Sequence, residues 1–139
     1  MIEQTLSIFK PDLVANSAHV ASVFIRLLAI GLLPVRLKRI DLLSMGQVRA
    51  LYKAHEGQPY YARNYDFMLS GPCVVMILEG ERAVERLREI IGSTDPRRAQ
   101  PGTLRRMFGT ELPRNAIHAT ATAAEVDAEI KIFFDGVSP

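Results

Sequence analysis

Apolar and polar positions alternate from Thr5 to Phe9 and the run breaks at Lys10-Pro11-Asp12. This predicts a short strand that delivers Lys10 to its end, because proline cannot donate to a sheet ladder. The period then changes: Val20, Val23, Phe24, Leu27 and Leu28 recur at helical spacing, with Asn16 or Ser17 as cap and Gly31 as stop. Leu33 to Leu42 mixes branched apolar residues with Arg and Lys and predicts a second strand with one wet face, Pro34 placing it at an edge or marking its start. Ser44-Met-Gly-Gln47 has capping-box spacing for a helix carrying Val48, Leu51 and Tyr52 and ending near Gly57. A second short helix follows from Tyr60 to Leu69. The unbroken apolar run Cys73 to Leu78 predicts a central strand covered on both faces. Glu81 to Ile91 is helical again, with Val84, Leu87 and Ile91 on one side and Gly92 past its end.

From Ser93 to Asn115 no period persists, and a segment of that length inside a compact domain is usually functional or disordered. Ala116 to Ala119 suits a last short strand, and Thr122-Ala-Ala-Glu125 has the spacing of a capping box opening a helix through Val126, Ile130 and Phe133. This order fits an α+β, ferredoxin-like βαββαβ sandwich: a four-stranded antiparallel sheet with helices on one face, an inserted helical pair and a long loop before the last strand. A flavodoxin-like parallel sheet is the alternative, and it needs more strands than the chain supplies.

Length and composition narrow the class. With 139 residues, 48% hydrophobic and 23% charged, the chain reads as a single globular domain spanning residues 1–139. Cys73 is the only cysteine, so an internal disulfide or a cysteine-based zinc site is excluded, and a reducing, cytoplasmic setting is expected. No stretch approaches the ~18 apolar residues of a membrane span, and Met1-Ile-Glu-Gln lacks the pattern of a signal peptide, so no membrane partner is expected. The net charge is only +2, but residues 97–114 hold five arginines against the single acid Glu111. Such a local excess meets either an anion or water.

Two nucleotide motifs are absent: no G-x-x-x-x-G-K-[ST] loop and no G-x-G-x-x-G after a strand. Any phosphate site must therefore be built from side chains. His19, His55 and His118 are too widely spaced for a metal site read from sequence; His19 falls on a solvated helix face and His55 at a helix end, where the dipole accounts for it. His118 differs. It stands four residues before the Thr122 cap, and Glu129 lies on the shoulder of the following helix's apolar stripe, where a partly buried carboxylate needs a donor such as an imidazole N–H or the Thr120 hydroxyl. An imidazole held through one nitrogen by an acid has its other nitrogen free as a nucleophile. A histidine simply satisfied in the core is the alternative.

Ser7-Ile-Phe-Lys-Pro-Asp12, Ser70-Gly-Pro72, Leu78-Glu-Gly80, Gly92-Ser-Thr-Asp-Pro96, Pro101-Gly-Thr103 and Arg114-Asn-Ala-Ile-His118 resemble, in that order, the signature blocks of nucleoside diphosphate kinase, from about Thr5 to Phe134. The resemblance implies a ferredoxin-like core with an inserted helical pair. It also implies a ping-pong enzyme that moves the γ-phosphoryl of a nucleoside triphosphate onto His118 and then to a nucleoside diphosphate. By position it makes Lys10, Tyr52, Arg88, Thr94, Arg105 and Asn115 nucleotide contacts and Tyr60 the ring that stacks on the base. Thr120 and Glu129 orient the histidine, with Lys10 and Tyr52 beside it. The metal it implies is Mg²⁺, carried by the nucleotide phosphates with no direct protein ligand. Arg88 has an alternative partner in Glu85, three residues earlier. Arg97, Arg98 and Arg106 match no site position and suit a loop surface or a subunit contact.

The sequence also departs from that pattern. Ala119-Thr120-Ala121 follows the histidine where the family usually has Gly-Ser-Asp, Leu13 replaces a small residue, and Met107 replaces a common acid. A Cβ at Ala119 costs on the order of 1 kcal/mol if the backbone there needs φ > 0. The resemblance implies a homo-oligomer, the hexamer favoured over the tetramer because little chain remains beyond Phe134. A family scaffold with weak or lost catalysis, serving as a nucleotide- or nucleic-acid-binding or regulatory subunit, is the competing reading. An RNA-binding module is disfavoured and nucleic acid is not an expected partner, because the strands lack an aromatic-rich basic run.

Overall fold

The computed structural model describes residues 1–134; the chain end at 135–139, which bears on the oligomer expectation, lies outside the described residues. Four strands form one antiparallel sheet: β1 (Ile2–Phe9), β2 (Leu33–Ile40), β3 (Cys73–Glu81) and β4 (Ile117–Ala119), in the spatial order β2-β3-β1-β4. The apolar run of β3 takes its predicted central place, and its two faces feed two separate cores. Met76 and Leu78 pack with Val23 and Leu27 of α2 (Ser17–Ala29) and Leu87 and Ile91 of α5 (Ala83–Ile91). Val75 and Ile77 pack on the opposite face with Val48 of α3 (Met45–Leu51), Met68 of α4 (Tyr61–Met68) and Phe133 of α7 (Val126–Phe134). Helices therefore cover both faces rather than one, since side chains alternate across a strand and an apolar β3 must be covered twice. A one-turn α1 (Pro11–Val14) starts at the proline that ends β1.

Local chemistry explains most element ends. Ser44 and Gln47 make both bonds of a capping box, and the Asn16 side chain caps α2 through the His19 amide. Thr122 does otherwise: its hydroxyl donates to the Glu125 carboxylate, and the segment starts as a 3₁₀ turn at Ala123–Glu125 before α7 begins. The predicted capping box there is thus replaced by a side-chain pair. The long irregular stretch contains a helix that periodicity missed, α6 (Leu104–Phe108), too short to establish a period. β2 is exposed on both faces rather than one, and Leu28 of α2 is also half exposed. Among the described residues no helix is long and apolar enough to cross a membrane.

Gly92 ends α5 with φ +89, and a Cβ there would stand 2.7 Å from the Thr103 side chain. Its carbonyl accepts a bond from Arg105 Nη1 at 3.2 Å. Gly92→Ala combines left-handed strain with overpacking and is expected to destabilise the fold by about 3 kcal/mol. Urea unfolding checks this: the midpoint should fall while the slope m stays constant.

Candidate active site

β4 runs antiparallel to β1 with His118 opposite Ile8. Ile117 and Ala119 point into the core under α2 and α5, so the alternation of the strand sends the His118 ring to the other face, toward α7. There His118 Nε2 lies 2.9 Å from Glu129 Oε1, and the same oxygen accepts the Thr120 hydroxyl at 2.9 Å. Glu129's side chain is 14% exposed and that of His118 is 17% exposed, so the ring is neither sealed in nor loose in water. Burial raises the Glu129 carboxyl, but the bonds from His118 and Thr120 outweigh it and hold the group below its usual range. Burial lowers the His118 imidazole against the opposing pull of Glu129, so the ring is neutral at neutral pH. An ionised carboxylate only accepts, which places the single ring hydrogen on Nε2 and leaves a lone pair on Nδ1.

The strand is aimed by a strained turn just before it. Ala116 has φ +72, its N–H donates to Asp12 Oδ2 at 3.0 Å, and the Ile117 N–H reaches back to the Asn115 carbonyl at 2.9 Å. A left-handed alanine costs about 1–2 kcal/mol, so the turn is held by its surroundings. Asp12 belongs to the Lys10-Pro11-Asp12 block, but no local pattern signals its bond to the far-off Ala116. Ala119, the position expected to suffer, sits in extended strand paired with Ser7, and its Cβ causes no backbone strain.

The turn also fixes Asn115, whose Oδ1 accepts from Lys10 Nζ at 2.7 Å while its Nδ2 donates to the Thr94 carbonyl at 2.9 Å. Lys10 is 6% exposed, and burial together with nearby Arg105 lowers its ammonium to about 8. Arg105, on α6, donates to the carbonyls of Gly92 and Ile117; its Nε is buried without a partner among the described residues, and burial lowers the guanidinium to about 10. The Tyr52 hydroxyl is likewise buried without a partner among the described residues, and burial raises it strongly. Arg88 turns to the Ala119 carbonyl at 3.4 Å, while Glu85 pairs with Arg82, so the helix-surface pairing considered for Arg88 is not formed.

These groups line one cleft of about 490 Å³. Every residue expected at the site lines it except Thr120, which is fully buried and bonded to Glu129. The rest of the wall comes from α4 and its approach, with His55, Tyr60, Arg63 and Asn64, and from the segment before β4, with Leu112. His55 does not need a helix dipole to explain it, since its Nδ1 meets the Tyr60 hydroxyl at 2.7 Å. His55, Arg63, Asn64 and Leu112 were missed, although Arg63 and Asn64 follow Tyr60 at helical spacing and that was a usable signal. Arg97 pairs with Asp95, and Arg106 donates to loop carbonyls. Among the described residues no three of His, Cys, Asp and Glu converge on a point.

The two depressed groups predict a pH profile. The acid limb of kcat/KM should fall where His118 takes up a proton, below the ordinary histidine range, and the alkaline limb should fall near pH 8 as Lys10 loses its charge. Bound phosphates favour the ammonium, so the alkaline limb of kcat should lie higher. Steady-state rates from pH 5 to 10 test both signs.

A cleft with a neutral, oriented imidazole, buried cations and two unpartnered donors is built for a polyanion. The family model for nucleoside diphosphate kinase matches residues 3–138. A nucleoside diphosphate kinase of Paracidovorax citrulli is 38% identical over 137 residues, covering 99% of this chain and 96% of that protein. Among solved structures, the Aquifex aeolicus nucleoside diphosphate kinase superposes with a TM-score of 0.90 at 34% identity, covering 99% of this chain and 98% of that one. A halophilic nucleoside diphosphate kinase from Halobacterium salinarum in complex with CDP gives 0.90 at 32% identity, covering 99% and 90%.

Proposed function

The chain belongs to the nucleoside diphosphate kinase family, a family of phosphotransferases, and from that premise we propose how its own residues carry the transfer. His118 Nδ1 attacks the γ-phosphorus of a nucleoside triphosphate. A P–N bond forms, the bond from that phosphorus to the bridging oxygen breaks, and the diphosphate leaves with the electron pair. A terminal oxygen of a second nucleoside diphosphate then attacks the same phosphorus, and the ring regains its lone pair. The observation that carries this reading is the His118–Glu129 bond through Nε2, which directs the free nitrogen into a cleft furnished with cations.

Glu129 and Thr120 hold the ring and balance the charge that develops on it. Lys10, Arg88 and Arg105 neutralise the phosphate oxygens in place of a glycine-rich loop, and the unpartnered Tyr52 hydroxyl and Arg105 Nε suit phosphate acceptors. Asn115 and Lys10 bind sugar hydroxyls, Thr94 contacts phosphate, and Tyr60 stacks on the base. Mg²⁺ is the metal of this proposal, and when bound it supplies further neutralisation of phosphate charge. The cleft suits a metal that arrives on phosphate oxygens and water, because its cations face the phosphates and Glu129 is engaged by His118 and Thr120.

The same proposal makes the chain one catalytic domain acting in the cytoplasm as a homo-oligomer, hexamer favoured over tetramer. Among the described residues β2 is an unpaired sheet edge, and its exposed Leu33, Val35 and Leu37 support self-association. Initial-rate kinetics test the mechanism: varying ATP at several fixed concentrations of an acceptor diphosphate should give parallel double-reciprocal lines. Intersecting lines would rule out the covalent relay.

A further inference from the structure

Stacking on an aromatic face accepts every base, so any base preference must come from groups that meet the base edge. Tyr60 is a fixed platform: its hydroxyl is tied to His55 Nδ1 at 2.7 Å, and the two rings lie 5.6 Å apart. Arg63 and Asn64 follow it by three and four residues at the start of α4, so their side chains share its face, and both line the cleft with it. Among the described residues neither side chain has a hydrogen-bond partner, although Asn64 is half-buried and most other cleft polar groups are engaged. The phosphate end already has Lys10, Arg88 and Arg105, which leaves Arg63 a cation on the wall that carries the stacking ring.

Resting on the nucleoside diphosphate kinase reading, we propose that Arg63, with Asn64 beside it, reads the base edge and selects 6-oxopurine nucleotides. A guanidinium offers two parallel donors, and on the edge that carries position 6 and N7 guanine and hypoxanthine present a matching pair of adjacent acceptors, O6 and N7. Adenine has an amino donor at position 6 and repels half of that fork. Cytosine presents an amino group and uracil a single carbonyl at the corresponding edge. The Asn64 amide supplies a donor and an acceptor to the same edge. A polar pair at this wall thus converts a base-tolerant stack into a graded preference.

The test loads the enzyme with labelled γ-phosphate from ATP, then measures the second-order rate at which GDP, IDP, ADP, CDP and UDP discharge the label. Wild type should favour GDP and IDP over CDP by about tenfold, the discrimination of one good bidentate pair. Arg63→Ala should bring all five within about twofold by slowing GDP and IDP, and Arg63→Lys should recover part of the difference. Arg63 is exposed on a helix, so alanine there threatens neither fold nor core. 7-Deaza-GDP on wild type should lose most of the GDP advantage. Equal discharge by all bases in wild type, or an equal loss for all five in Arg63→Ala, would overturn the assignment of Arg63 while leaving the kinase reading intact. A wild-type protein that takes up no label overturns the kinase reading and this one with it.

Discussion

Replacing His118 by alanine is expected to lower phosphoryl exchange by ~10⁴-fold or more, because it deletes the covalent route rather than weakening a contact along it. Nucleotide binding should survive. Lys10, Arg105 and Asn115 are held by Thr94, Gly92, Ile117 and one another, Arg88 is held by the Ala119 carbonyl, and none of them bonds to the imidazole. The dissociation constant for a diphosphate should therefore move by less than about fivefold while kcat collapses, since the phosphate-binding charges remain in place. Glu129 keeps the Thr120 hydroxyl but loses its imidazole partner, so its carboxyl should rise toward its usual range. A variant that retained substantial turnover, or lost binding as fully as rate, would contradict the assigned role.

The second large effect is expected at Lys10, where activity and stability should part. Lys10→Met keeps length and volume but removes a buried cation that already loses affinity for its proton through burial and the neighbouring Arg105. Phosphoryl transfer should fall by about 10²–10³-fold, the usual loss when one positioned charge is taken from a transition state. Folding free energy should stay within about 1 kcal/mol of wild type, because relief from burying the charge offsets the bond lost to Asn115 Oδ1. Urea unfolding beside initial rates separates the two quantities. A loss of rate that merely tracks a loss of fold would show that Lys10 serves packing.

Legibility in the sequence followed the range of the interactions involved. The Ser44–Gln47 box, the Pro11 stop and the apolar β3 run are local signals, and each produced its element. The pairing of His118 with Glu129 was also readable, because β4 and the helix after it are adjacent and a carboxylate on the shoulder of an apolar stripe needs a donor. Contacts that join distant segments were not readable. Asp12 holds the Ala116 amide and Arg105 reaches Gly92 and Ile117; the His55–Tyr60 bond spans only five residues but crosses a turn whose path no periodicity specifies. The helix containing Arg105 was hidden for a different reason: at five residues it completes little more than one turn. Thr122 shows that a motif gives spacing without geometry, since its hydroxyl chose the Glu125 carboxylate over a backbone amide.

The relay itself is tested most directly by isolating the protein after brief exposure to γ-labelled ATP and Mg²⁺ and locating the phosphate by ³¹P NMR and peptide mass mapping. The account predicts one acid-labile, alkali-stable phosphate per chain on Nδ1 of His118, discharged by added diphosphate and absent from His118→Ala. Label on a hydroxyl, on Nε2, or persisting in the alanine variant would contradict it.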